Sequence, residues 1–183
     1  MWHVRRTARH WALAAALLFA LPLGAAAQGI SAPELKAAFL ANFSNFTEWP
    51  EGALPPGQSF VYCVLDDKAV AAALTVILGH PGQTLQPWVR VVKIEPSIRS
   101  CQVLYVGKLD GKQSTQVFDI LKDSPVFTVG DAEHFAESGG IAQFMLADGR
   151  MRFAINVAAA KRAHLVLSSK LLSLATLVKD AGQ

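Results

Sequence analysis

Short apolar runs alternate with helix-forming stretches along most of this chain, and an alternation of that kind leaves few folds open. Phe60 to Leu65 is a short apolar run of the kind found in strands covered on both faces, Val89 to Ile94 is strand-like, and Val103 to Val106 and Val126 to Val129 read as further strands. Between them, Asp66 and Asp67 offer caps for a helix from Lys68 to Leu78, closed by Gly79 and Pro81, and Ser114 to Leu121 is a second helical stretch. Strand followed by helix opens a βαβ unit. A short helical piece is expected around Ala132 to Glu137, before Gly139-Gly140 breaks the chain. Ile141 to Leu146 and Met151 to Ile155 then flank Asp148-Gly149, which is a β-hairpin signal. Val157 to Arg162 reads as helix, Leu165 to Leu167 as a short strand, and Ser168 or Ser169 as the cap of a terminal helix bearing Leu171, Leu172, Leu174, Ala175 and Val178. The pattern predicts an α/β domain: a mainly parallel sheet, helices on both faces, and an antiparallel strand near one edge.

The first helix of this domain has its own signature. Ser31-Ala32-Pro33-Glu34 is a capping-box pattern with proline in the first turn, and Leu35, Ala38, Phe39, Asn42, Phe43 and Phe46 follow at helical spacing. That stripe is the face by which a helix docks on a sheet, and the helix is expected to end near Thr47, since Trp49 precedes Pro50.

Upstream, Arg5, Arg6 and Arg9 precede an apolar stretch from Trp11 to Leu21, then Pro22 and Ala25-Ala26-Ala27. This is the pattern of a secretory signal peptide cleaved after Ala27, with an apolar core about half the ~20 residues a spanning helix needs. Removing 27 residues from 183 leaves 156, a single domain from residue 28 to 183. The leader arginines account for the net charge of +3, so the basic balance belongs to export and not to a nucleic-acid surface. Cys63 and Cys101 are the chain's two cysteines, and in the oxidising compartment to which a secretory leader delivers a chain such a pair tends to close into a disulfide; two buried thiols packed as small apolar groups are the alternative.

The motifs that carry common chemistries are missing. No GxGxxG, P-loop or GxSxG occurs, and His80, His134 and His164 are widely separated, so no metal site and no cofactor is expected. Asn42-Phe43-Ser44 fits a glycosylation triplet but falls within the first helix behind a bacterial-type leader. Any small-molecule site in an open parallel sheet should lie beyond the carboxyl ends of the strands, and Asp66, Asp67, Lys108 and Asp131 follow strands there. Helix caps and a solvated lysine explain the same positions more plainly. Asn156 is either a turn or cap residue or a buried hydrogen-bonding anchor.

Three stretches taken together resemble the YfiR family of periplasmic proteins: LKAAFLANFSNFTEWP from Leu35 to Pro50, CVLDD from Cys63 to Asp67, and the block from Gly139 to Ala175. Within them, Phe46, Trp49 and Pro50, the Asp148-Gly149-Arg150 turn, and Phe153 and Asn156 occur in the family's order. The resemblance implies a Rossmann-like or flavodoxin-like three-layer sandwich that forms homodimers, and Cys63 and Cys101 stand where relatives can carry a disulfide. It also implies a periplasmic repressor that binds the sensor region of an inner-membrane diguanylate cyclase or comparable sensor kinase, lowering cyclic di-GMP synthesis until an outer-membrane-associated partner or redox stress releases it. A second cysteine pair found in the prototype has no counterpart here, and Glu48 and Leu165-Val166-Leu167-Ser168 stand where its proposed anion-binding residues would be.

A non-catalytic regulator is therefore the leading expectation. A periplasmic receptor for a small solute would ordinarily need two lobes, for which 156 residues are short. An envelope hydrolase would need a poised acid, base, nucleophile or metal.

Overall fold

The computed structural model describes residues 30–79 and 85–181. The expected signal peptide and its expected cleavage after Ala27, as well as His80 and Pro81, lie outside them. In chain order the elements are α1 (Ala32–Asn45), β1 (Thr47–Glu48), β2 (Val61–Leu65), α2 (Lys68–Leu78), β3 (Trp88–Val92), a 3-10 turn (Pro96–Ser100), β4 (Val103–Tyr105) and α3 (Gly111–Leu121). There follow β5 (Phe127–Gly130), β6 (Ala142–Ala147), β7 (Arg150–Asn156), α4 (Val157–Arg162), β8 (Val166–Leu167), α5 (Ser169–Ser173) and β9 (Thr176–Val178).

Seven strands form one sheet in the order β3-β2-β4-β5-β6-β7-β9, while β1 and β8 pair separately as a small antiparallel ribbon. Every neighbouring pair of the large sheet is parallel except β6 and β7. Counting β2 as the first strand, the left-hand five run 2-1-3-4-5, the flavodoxin-like order, so the expected α/β class and its sandwich architecture are those of the molecule.

Alternation along the strands divides the interior in two. Tyr62, Val64, Tyr105, Phe127 and Val129 face a core completed by Leu40 and Phe43 of α1, Leu74 of α2 and Ala160 of α4. Cys63, Leu65 and Leu104 face the opposite layer, with Val117 and Leu121 of α3, Ile98 and Phe135. The Cys63 and Cys101 sulfurs are bonded inside this second core, with Cα atoms 5.8 Å apart, tying β2 to the residue that leads into β4.

Local chemistry accounts for the boundaries. Ser31 and Glu34 form the reciprocal capping box: Ser31 Oγ accepts from Glu34 N and Glu34 Oε2 accepts from Ser31 N at 2.8 Å. At the hairpin tip Asp148 and Gly149 both take positive φ, 52° and 68°, the backbone of a type I′ turn.

Three expectations need correction. α1 stops at Asn45, because Thr47 and Glu48 leave the helix to pair with Leu167 and Val166. Ala132 to Glu137 is a run of turns and not a helix: His134 adopts φ 61°, and Phe135 is drawn beneath Gly130 and Gly140, where an added Cβ would lie 2.6 and 2.1 Å from its ring. The terminal helix is only α5. Thr176 to Val178 extend instead and pair with Ala154 to Asn156, satisfying the outer edge of β7 that a longer helix would have left open.

Candidate functional site

The strand order reverses between β2 and β4, and a cavity of about 610 Å³ opens there, beyond the carboxyl ends of β2, β3 and β4. Its walls are apolar at Leu65, Val92, Ile94, Val106 and Leu109, and charged at Asp66, Asp67, Lys68, Lys93 and Lys108. Asp66, Asp67 and Lys108 are thus brought together as anticipated for residues that follow parallel strands. Asp67 also caps α2, its Oδ1 accepting from Val70 N at 3.0 Å. Asp66 holds a left-handed φ of 50° at the turn.

Asp131 lies apart from the cavity wall. Its Oδ2 accepts a hydrogen bond from the Tyr105 hydroxyl at 2.7 Å and another from the ammonium of Lys36, which also donates to the Tyr105 oxygen at 3.0 Å. The second oxygen, Oδ1, is buried with no hydrogen-bond partner among the described residues. Burial foremost, and then the hydrogen bond and charge of Asp131, raise the pKa of Tyr105, so its hydroxyl stays a donor. Gly107 separates this trio from the cavity: its φ is 60°, and a Cβ there would stand 4.0 Å from the Tyr105 hydroxyl.

Lys36 was not among the residues singled out from the sequence. The face that α1 buries is Ala37, Leu40 and Phe43 and not the expected stripe, whose Asn42 is exposed; Lys36 stands four and seven residues before Leu40 and Phe43, and a lysine beside a core face requires a buried acceptor. That was the signal. Lys68 and Lys93 were missed because neither position carries a motif.

The positions that follow the family pattern are structural in different ways. Asn156 is fully buried and satisfies both readings at once: Oδ1 caps α4 by accepting from Ala159 N at 2.9 Å, and Nδ2 donates to Ala136 O at 2.7 Å and Asp180 Oδ1 at 2.8 Å. Asp180 is gripped by both guanidinium nitrogens of Arg162, at 2.6 and 2.9 Å, and that hydrogen bonding lowers its pKa. Trp49 stands edge-on to Phe60 and donates through Nε1 to Pro125 O at 3.0 Å, while Pro50 O accepts from Ala53 N. Phe46 O accepts from Ser168 N, and Phe153 meets the Phe43 ring edge-on at 5.1 Å.

Among the described residues no group of three or more His, Cys, Asp or Glu could hold a metal ion, and no helix is long and apolar enough to cross a membrane. His134 is exposed, and its hydrogen bond and ion pair with Glu137 raise its pKa.

Sheet order and switch-point cavity define the class: a doubly wound α/β domain with a crevice outside the carboxyl ends of its strands. More narrowly, the chain belongs to the YfiR/HmsC-like family, whose sequence profile matches residues 33–176. That family is one of periplasmic regulatory proteins. No curated protein matches the chain. Among solved structures, a conserved domain protein from Vibrio cholerae O1 biovar eltor is similar in fold, with a TM-score of 0.53, 13% identity and coverage of 82% of this chain. The chain spans 60% of that protein's length. An ABC domain in complex with L-Trp from Streptococcus pneumonia aligns at a TM-score of 0.48 and 13% identity, over 69% of this chain and 57% of its own.

Proposed function

We propose that the exported domain binds the periplasmic sensor region of an inner-membrane signalling protein, a diguanylate cyclase, and restrains its synthesis of cyclic di-GMP. The observation that carries this reading is the family match from residue 33 to 176, which runs from the first turn of α1 to the start of β9. The chemistry of the cavity agrees with a binding role: Asp67 is committed to a helix cap, and the charged groups beside it are exposed. Regulation across a membrane requires that the domain bind one state of its partner better than another. A preference of about 3 kcal/mol shifts the populations more than a hundredfold.

Deletion of the gene, together with affinity purification of the exported chain from solubilised membranes, tests the proposal. The expected result is a rise in cyclic di-GMP and recovery of a stoichiometric complex. An unchanged second-messenger level with no complex, accompanied by turnover of an envelope substrate by the purified domain, would replace it with an enzymatic reading.

A further inference from the structure

We infer that the cavity at the strand-order reversal is a binding site for a small organic anion, a carboxylate or phosphate monoester carried on a partly apolar body. The inference does not depend on the regulatory reading. Three lysines line this cavity from three separate places: Lys68 in the first turn of α2, Lys93 just after β3, and Lys108 in the loop after β4. Among the described residues, none of the three forms an ion pair with a carboxylate.

Two aspartates share the wall and must be weighed against them. Asp67 is already hydrogen-bonded to the α2 backbone, and Asp66 is exposed, so the five charged groups leave one net positive charge. The same wall is the start of two helices of 11 residues each, α2 and α3, and their amino ends partly offset the two aspartates that cap them, Asp67 on the wall and Asp110 just outside it, so the lysines supply the positive balance. The balance favours an anion. Asp66 adds an acceptor for a hydroxyl or amine elsewhere on the ligand.

The remaining lining sets the body of the ligand. Leu65, Val92, Ile94, Val106 and Leu109 make up the apolar part, and about 610 Å³ is within the range of small-molecule sites. Gly107 lines this wall with a φ of 60°, a backbone conformation that residues with a side chain rarely adopt. A bare inorganic ion would leave the apolar lining uncovered, which is why an organic anion is the inferred occupant.

The test uses the mature chain labelled with nitrogen-15 and three probes of similar size: phenyl phosphate, benzoate and benzyl alcohol. Amide shifts are expected at Asp66, Asp67, Lys68, Gly107 and Lys108 with one or both anions at concentrations up to about 10 mM. The tighter of the two identifies the headgroup. The neutral alcohol is expected to bind on the order of tenfold more weakly, and so is the better anion to a Lys68→Gln/Lys108→Gln variant. Both lysines are exposed, so the variant should fold, and the dispersion of its own spectrum monitors that. Four results would each overturn the inference. These are no shift with either anion, equal binding of the alcohol, undiminished binding by the folded variant, or shifts confined to the smaller cavity between α3 and α4 that Lys122 and Arg162 line.

Discussion

Asn156 and Asp131 illustrate how much a single residue can disclose before its neighbours are known. Asn156 follows an apolar strand and precedes a helix, so its capping role was legible locally; its bonds to Ala136 and Asp180 join segments 20 and 24 residues away and left no trace in the sequence. Asn156→Ala removes all three bonds and leaves buried groups unsatisfied, so a loss of about 2–4 kcal/mol is expected in urea unfolding. Asp131 was chosen from its place after a strand, yet Lys36, the group that holds it, lies 95 residues earlier. Lys36→Met should cost about 3 kcal/mol by stranding the Asp131 carboxylate, and adding Asp131→Leu should recover a good part of that in the same assay. The Arg162–Asp180 pair makes a pH prediction of its own. Because the folded state lowers the pKa of Asp180 from 3.8, the pair's contribution is complete above that value and disappears as pH falls through the lower folded one. Wild type should therefore lose stability at acid pH more steeply than Asp180→Asn, which is checked by urea midpoints measured from neutral pH downward.

Some elements carry their boundaries in their own residues, and others are decided by a partner far along the chain. α2 was placed residue for residue, since Asp67 and Gly79 mark its ends. α3 begins at Gly111, three residues ahead of the expected start, and the overlooked signal was a second capping box from Asp110 to Gln113. Thr176 to Val178 form an edge strand because β7 offers an open ladder, a condition that helical periodicity in the leucines before them could not reveal. The Cys63–Cys101 bond closes a separation of 38 residues around α2, β3 and the 3-10 turn. Chain-entropy reasoning assigns such a closure about 4 kcal/mol, so the Cys63→Ala/Cys101→Ala variant is expected to unfold at a clearly lower denaturant concentration with its sheet preserved. Circular dichroism through a guanidinium titration measures both.

For the molecule as a whole, the alternation of strands and helices was enough to identify the class, and three sequence stretches were enough to suggest the family. The partner was not legible, because a docking surface is assembled from residues scattered over several elements and obeys no period. Export is the prediction at this scale: the protein recovered from the periplasm should begin near Gln28, as intact-mass measurement would establish, and a membrane-held form retaining Met1 would contradict it. β9, which pairs in parallel with β7 at one margin of the sheet, has a bearing on that journey. A chain threaded outward from its amino end delivers β7 well before residues 176–178, so for that interval the hairpin's outer backbone is a vacant template for any extended segment nearby. Truncation just after Ser173 would make the interval permanent, and the expected product is a protein that self-associates through β7.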